Sequence, residues 1–155
     1  MSGYYDIAQI CLNGHIVNSS LQRFPESNRA FCPKCGEKTI TNCPDCKAEI
    51  KGSYFGNIVI TLDESPAYCH NCGKSYPWTE SKIATAIQIL TEFGNLNDEE
   101  KKTIAQDINN IARDIPQAEL SANRIKQIWK KCSMAGYEFI MEFASRTAAK
   151  VLKNP

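Results

Sequence analysis

Eight side chains of ligand type stand in four short pairs within the first 72 residues: Cys11/His15, Cys32/Cys35, Cys43/Cys46 and Cys69/Cys72. Three pairs are Cys-x-x-Cys, a spacing at which one tight turn aims two thiolates at a common ion while its own amides donate to the sulfurs. Two pairs complete a tetrahedral shell, so the four pairs supply two full sets of zinc ligands. No other feature restricts the fold as strongly, because a segment organised around such sites needs only short strands and turns between its ligands.

Taken in chain order, the first site is Cys11, His15, Cys32 and Cys35, and the second is Cys43, Cys46, Cys69 and Cys72. Sixteen residues lie between His15 and Cys32 and 22 between Cys46 and Cys69, room in each case for two strands and a turn, whereas seven separate Cys35 from Cys43. This predicts two successive zinc ribbons, each made of two ligand-bearing knuckles joined by a short hairpin. The spacings also admit a site formed by Cys32, Cys35, Cys43 and Cys46, with the outer pairs sharing the other ion. Gly36 and Gly73 directly follow the second cysteine of their knuckles, where the turn favours positive φ, and Lys47 takes that place in the knuckle between them. His70 sits between two ligands of its own knuckle and is expected to turn away from the metal.

A catalytic zinc keeps one position open for water beside a general base, as in His-Glu-x-x-His or His-x-Glu with Cys-x-x-Cys. Neither arrangement occurs. Two structural zinc ions and no enzymatic activity are therefore expected, with removal of metal unfolding residues 7–75. Four thiolates also suit iron, so ligand type alone does not fix the metal of the second site.

The 155 residues are 43% hydrophobic, the composition of a soluble globular chain of one or two small domains. No stretch approaches the roughly 20 apolar residues of a membrane span, and the start MSGYYDIAQI has neither the basic leader nor the apolar run of a signal peptide. A cytoplasmic location is expected. There thiols stay reduced, which favours metal over disulfides. Seven thiolates and two divalent ions would move the formal charge of +1 to about −2. Residues 1–78 carry seven basic and seven acidic side chains, without the excess of Lys and Arg that phosphate contacts normally require.

The chain changes character at Tyr76-Pro77-Trp78-Thr79, giving tandem zinc ribbons over 1–78 and a helical interaction domain over 79–155. Thr79 reads as an N-cap, Trp78 and Ile83 as a hydrophobic staple, and Ile83, Ile87 and Leu90 as an apolar stripe closed by Gly94. Asn97-Asp98-Glu99-Glu100 reads as a capping box opening a second helix with the stripe Ile104, Ile108, Ile111 and Ile115. One long helix, or two joined near Gly136, is expected from about Gln117 to Leu152. Its apolar face holds Ile125, Ile128, Trp129, Cys132, Phe139, Ile140 and Phe143, and reads as core or, along its aromatic part, as a partner groove. Arg124, Lys126, Lys130 and Lys131 form the one basic run in this half and read as a solvated helix face.

The order Cys11-x3-His15, Phe31-Cys32-x-x-Cys35-Gly36, Cys43-Pro44-x-Cys46 and Ala67-Tyr68-Cys69-x-x-Cys72-Gly73-x-x-Tyr76-Pro77-Trp78-Thr79 resembles a bacterial family of uncharacterised double-zinc-ribbon proteins with a C-terminal helical tail. The resemblance implies that the eight ligands bind two zinc ions and implies no enzymatic activity. More distantly, the first half is similar to the rubredoxin-like knuckles of transcription, ribosomal and adaptor proteins. The fold class expected is thus small metal-stabilised β followed by three to four helices. The expected function is a non-catalytic adaptor that meets a protein partner, or a second copy of itself, through the helical half. Binding of RNA or DNA is the alternative.

Overall fold

Ligand-bearing turns leave only short runs of backbone free to pair, and the strands of the first half are accordingly two to five residues long. The computed structural model describes residues 3–93, 96–113, 115–131, 140–141, 144 and 146–153. It divides into two compact units, Met1–Glu80 and Ser81–Pro155.

In the first unit, β1 (Tyr4–Ile7) and β2 (Gln9–Cys11) follow one another across the fully buried Ala8, yet enter different sheets. β2 is the centre of one antiparallel sheet, flanked by β3 (Ile16–Asn18) and β4 (Thr39–Ile40). β1 is an outer strand of the other, pairing with β5 (Lys51–Phe55), which in turn pairs with β6 (Val59–Ile60). The N-terminal segment therefore ties the surroundings of the first site to those of the second. The two sheets are joined through it.

The stretch between His15 and Cys32 departs from the expected pair of strands. It contains β3 and a 3-10 turn at Pro25–Ser27, and polar side chains hold the rest. Asp6, buried, accepts from the amides of Ile7 (2.6 Å), Gln22 (3.0 Å) and Arg23 (3.1 Å). Asn18 accepts from Ser20 N and donates to Phe24 O and Asn28 Oδ1. A run such as Ser19-Ser20-Leu21-Gln22-Arg23-Phe24-Pro25 has no alternation to form a strand, so its buried peptide groups are satisfied by these side chains instead. The apolar core of this unit is small: Ala8, Ile10, Ile50, Tyr76 and Trp78, packed with the ligand-type residues Cys43 and Cys69.

The second unit is helical. Helix α1 (Pro77–Phe93) begins within the first unit, and α2 (Asp98–Ala112), α3 (Ala118–Lys131) and α4 (Arg146–Lys153) follow. The capping box of α2 is complete: Asn97 Oδ1 accepts from Glu99 N and Glu100 N, and Glu100 Oε2 accepts from Asn97 N at 3.0 Å. Ile104, Ile108 and Ile111 from α2, Ala118, Ala122, Ile125 and Ile128 from α3, and Ile140, Ala148 and Leu152 form one buried cluster with Ala86 and Leu90 of α1. The stripe Ile125, Ile128 and Ile140 is thus core. Gly94, Cys132, Gly136, Phe139 and Phe143, and the side chain of Trp129, lie outside the described residues.

The start of α1 differs from expectation. Pro77 occupies the first helical position, where its fixed φ is pre-organised and its missing N–H costs nothing, and Tyr76 O accepts from Thr79 N and Glu80 N. Thr79 is therefore inside the first turn, its hydroxyl donating to Ala67 O at 2.8 Å. Trp78 is likewise inside the helix rather than ahead of its cap. Its indole stacks on Tyr76 (4.7 Å, 16° between planes) and Nε1 donates to Pro66 O, as a pin in the small core.

Candidate metal centres

The three Cys-x-x-Cys knuckles have one backbone design. In each, the amide of the first cysteine donates to the carbonyl five residues on: Cys32 to Glu37, Cys43 to Ala48, Cys69 to Lys74, all 2.8 Å. The residue after the second cysteine donates back to the first: Gly36 to Cys32 O, Lys47 to Cys43 O and Gly73 to Cys69 O. That residue takes φ of 74°, 63° and 72° respectively. Lys47 thus holds a left-handed conformation that costs a side-chain-bearing residue about 1–2 kcal/mol. Isolated bridges Phe31–Lys38, Asn42–Glu49 and Tyr68–Ser75 close the base of each knuckle.

The Cys11–His15 knuckle is different in length but equally fixed. Gly14 N donates to Cys11 O, and Cys11 N donates to His15 O. Gly14 has φ of 86°, and a Cβ there would lie 2.9 Å from Cβ of Trp78, so both backbone and packing require glycine.

These turns gather the eight residues in chain order. Cys11, His15, Cys32 and Cys35 form one group and Cys43, Cys46, Cys69 and Cys72 the other, with ligand atoms within 4.8 Å of one another in each. The alternative grouping of Cys32, Cys35, Cys43 and Cys46 is not formed, and His70, exposed, belongs to neither. In the first group Cys11 Sγ lies 3.8 Å from Cys35 Sγ, and His15 Nδ1 lies 3.5, 3.3 and 3.8 Å from Cys11, Cys35 and Cys32 Sγ. In the second, Cys43–Cys72 and Cys46–Cys69 are 3.8 and 3.6 Å apart.

A tetrahedral ion with metal–sulfur bonds of about 2.3 Å and metal–nitrogen bonds of about 2.0–2.1 Å requires sulfur–sulfur edges of about 3.8 Å and sulfur–nitrogen edges of about 3.6 Å. The observed edges match. A disulfide would need about 2.05 Å, and the seven described cysteines are all free. Both groups can hold a metal ion, each with four protein donors.

The electrostatics suit a cation. Peptide and amide groups aim at the sulfurs: His15 N at Cys11 Sγ (3.2 Å), Asn13 Nδ2 at Cys35 Sγ (3.5 Å) and Asn71 N at Cys69 Sγ (3.4 Å). The backbone N–H of Glu37 leads in lowering Cys35 to about 6, and that of Cys72 does so for Cys69. Cys72 receives the N–H of Lys74, yet desolvation and the neighbouring Cys46, Cys69 and Cys43 hold its proton to about 12. Burial likewise raises Cys11. Four crowded thiols cannot all ionise together, and a divalent ion removes that obstacle. In each group one sulfur is exposed, Cys35 and Cys72, while Cys11, Cys32, Cys43 and Cys69 are buried. Lys74 spans the second group's two knuckles by an ion pair to Asp45 at 2.6 Å, which is exposed and of small energetic weight.

Two four-donor groups able to hold a metal ion, set among small antiparallel sheets ahead of a helical unit, define a small cysteine-rich β protein with an appended helical part. The chain belongs to the family described as "Uncharacterized protein conserved in bacteria (DUF2321)", whose model matches residues 4–152. No curated protein and no solved structure matches it. Among the described residues no helix is long and apolar enough to cross a membrane.

Sequence reasoning missed the buried carboxylates. Asp107 on α2 accepts from Ser121 Oγ (2.7 Å) and from Arg124 Nη1 (3.2 Å), and Asn110 Nδ2 donates to the same Ser121 oxygen. Arg124, itself exposed, thus pairs with a buried carboxylate, and Lys126 reaches Val151 O at 3.2 Å in the last turn of α4. Asp107 carries no sequence signal, since a lone acid in a largely polar stretch looks like surface, and Asp6 is marked only by the apolar residues on either side of it.

Proposed function

We propose that the protein is a non-catalytic module in which two structural zinc ions hold a rigid β unit that presents a surface to another protein. The observation that carries this reading is the closed donor set. Each centre has four protein donors at tetrahedral spacing, and an ion so enclosed has no position for water or substrate. Zinc suits a site that mixes an imidazole with three thiolates, and the same ion then fits the four-thiolate site. Among the described residues, the first unit also carries seven of the eight large hydrophobic residues that are exposed: Tyr4, Tyr5, Phe24, Phe31, Ile58, Val59 and Ile60. That concentration supports a protein-binding surface on the metal-bearing unit.

A second reading, single-stranded nucleic acid, draws support from cations over rings: Arg23 over Phe55 at 4.5 Å and Lys51 over Tyr5 at 4.9 Å. The balanced charge of the unit and the engagement of Arg124 and Lys126 within the helical unit weigh against it.

X-ray absorption on purified protein separates the catalytic possibility from the structural one. Sulfur and nitrogen alone around zinc are expected, and an oxygen neighbour in either site would overturn the closed-site reading. Heparin retention that falls steeply with salt would move the assignment to nucleic acid.

A further inference from the structure

β6 is an outer strand of the sheet β1-β5-β6, and among the described residues it is paired on one side only. Proteins commonly blunt such an edge with a lysine, a proline, a bulge or a covering loop. The run Gly56-Asn57-Ile58-Val59-Ile60-Thr61-Leu62 has no charge and no proline, and Ile58, Val59 and Ile60 are 64%, 62% and 54% exposed. Two hydrogen bonds fix how its peptide groups point. Gly56 N donates to Ile58 O and Leu62 N donates to Ser53 Oγ, so residues 58 and 62 face β5. Alternation along an extended strand places Ile60 with them and turns the N–H and C=O of Val59 and Thr61 toward the open edge.

We propose that this edge joins two copies of the chain, β6 pairing antiparallel with β6 of a second copy about a twofold axis at Ile60. In that register Val59 and Thr61 exchange N–H···O=C bonds with Thr61 and Val59 of the other copy, and Ile60 meets Ile60. The motif Val-Ile-Thr reads β-branched throughout in both directions, so a copy presents well-matched cross-strand pairs. With no charged residue from 56 to 62, no like charges are brought together. On the inner side Ile60 is already paired with Tyr54, whose ring lies 5.1 Å from Tyr5, so one apolar row continues across six strands. The edge is one short strand, Val59–Ile60, with a single residue to either side in the pairing. That is short of a standard interface, so the dimer is reversible, with a dissociation constant of about micromolar or weaker. This inference stands on the sheet geometry and does not require the adaptor reading.

Sedimentation of the zinc-loaded full chain over a concentration series tests it. Wild-type protein is expected to dimerise reversibly. Ile60→Lys and Ile60→Glu should each weaken the dimer by about a hundredfold or more, because like charges meet on the axis, while retaining full metal content. Mixing the two variants should restore a dimer. A wild-type chain that stays monomeric to about 1 mM overturns the proposal, including the case in which its edge takes up a strand of some other protein. So does an Ile60→Lys variant that dimerises like wild type, or a mixture that fails to pair. If a charged variant loses metal, Val59→Pro decides: the N–H it removes faces the edge rather than β5, and undiminished dimerisation there overturns the proposal.

Discussion

The two units reach order by different means. The helical unit buries a continuous set of branched side chains, Ile104, Ile108, Ile111, Ile125, Ile128 and Ile140, and needs no ion to do so. The first unit has a core of Ala8, Ile10, Ile50, Tyr76 and Trp78 in which two of the remaining members, Cys43 and Cys69, are candidate ligands. In the first case packing creates the structure, and in the second the donors are part of what is packed. Deleting a methylene and deleting an ion should therefore damage different halves.

The largest effect expected is from metal removal. Structural zinc supplies an apparent 10–16 kcal/mol in small domains, about as much as the whole stability of one. Chelation should therefore abolish amide protection in β1 to β6 while α2 and α3 keep theirs, as hydrogen exchange would show. Persisting strand protection without metal would erase the contrast. Acid should act in the same direction. The ion is held by thiolates, so protons compete with it for the same sulfurs and its contribution is lost as pH falls. Zinc release followed against pH checks the sign.

Next in size, Cys43→Ser should lose one of two metal equivalents and about 4 kcal/mol or more, because it removes a ligand and a core member together. Ile108→Ala is the counterpart in the helical unit. It should cost about 3 kcal/mol, seen as a lower helical melting temperature, with zinc stoichiometry unchanged. A variant that also shed metal would show that the units are not independent. The smallest change sharpens the picture: Lys47→Gly should stabilise the first unit by about 1 kcal/mol by relieving the left-handed backbone of its knuckle, measurable in the chelator concentration needed for unfolding.

Much of this was legible in the order of residues. Ligand spacing is a local property, so the four knuckles, their glycines and the capping box at Asn97 could all be read from sequence. The sheet exchange at Ala8 could not, because whether β1 pairs with β3 or with β5 depends on contacts more than forty residues away. The helix start was misplaced by giving Thr79 the cap, when Pro77 had already set the backbone. Arg124 is exposed, as expected of a solvated face, but its pairing with Asp107 was not legible because nothing in the sequence marks Asp107 as buried.

The accessibility of the sulfurs carries a kinetic consequence. Cys35 and Cys72 are the exposed thiols of their centres, while two others in each are shielded. Reagents arriving from solvent, whether alkylating, oxidising or competing for the ion, share that approach. The pace at which an ion departs will then follow the lability of a single bond, and two proteins of equal affinity could differ widely in how long they keep their metal.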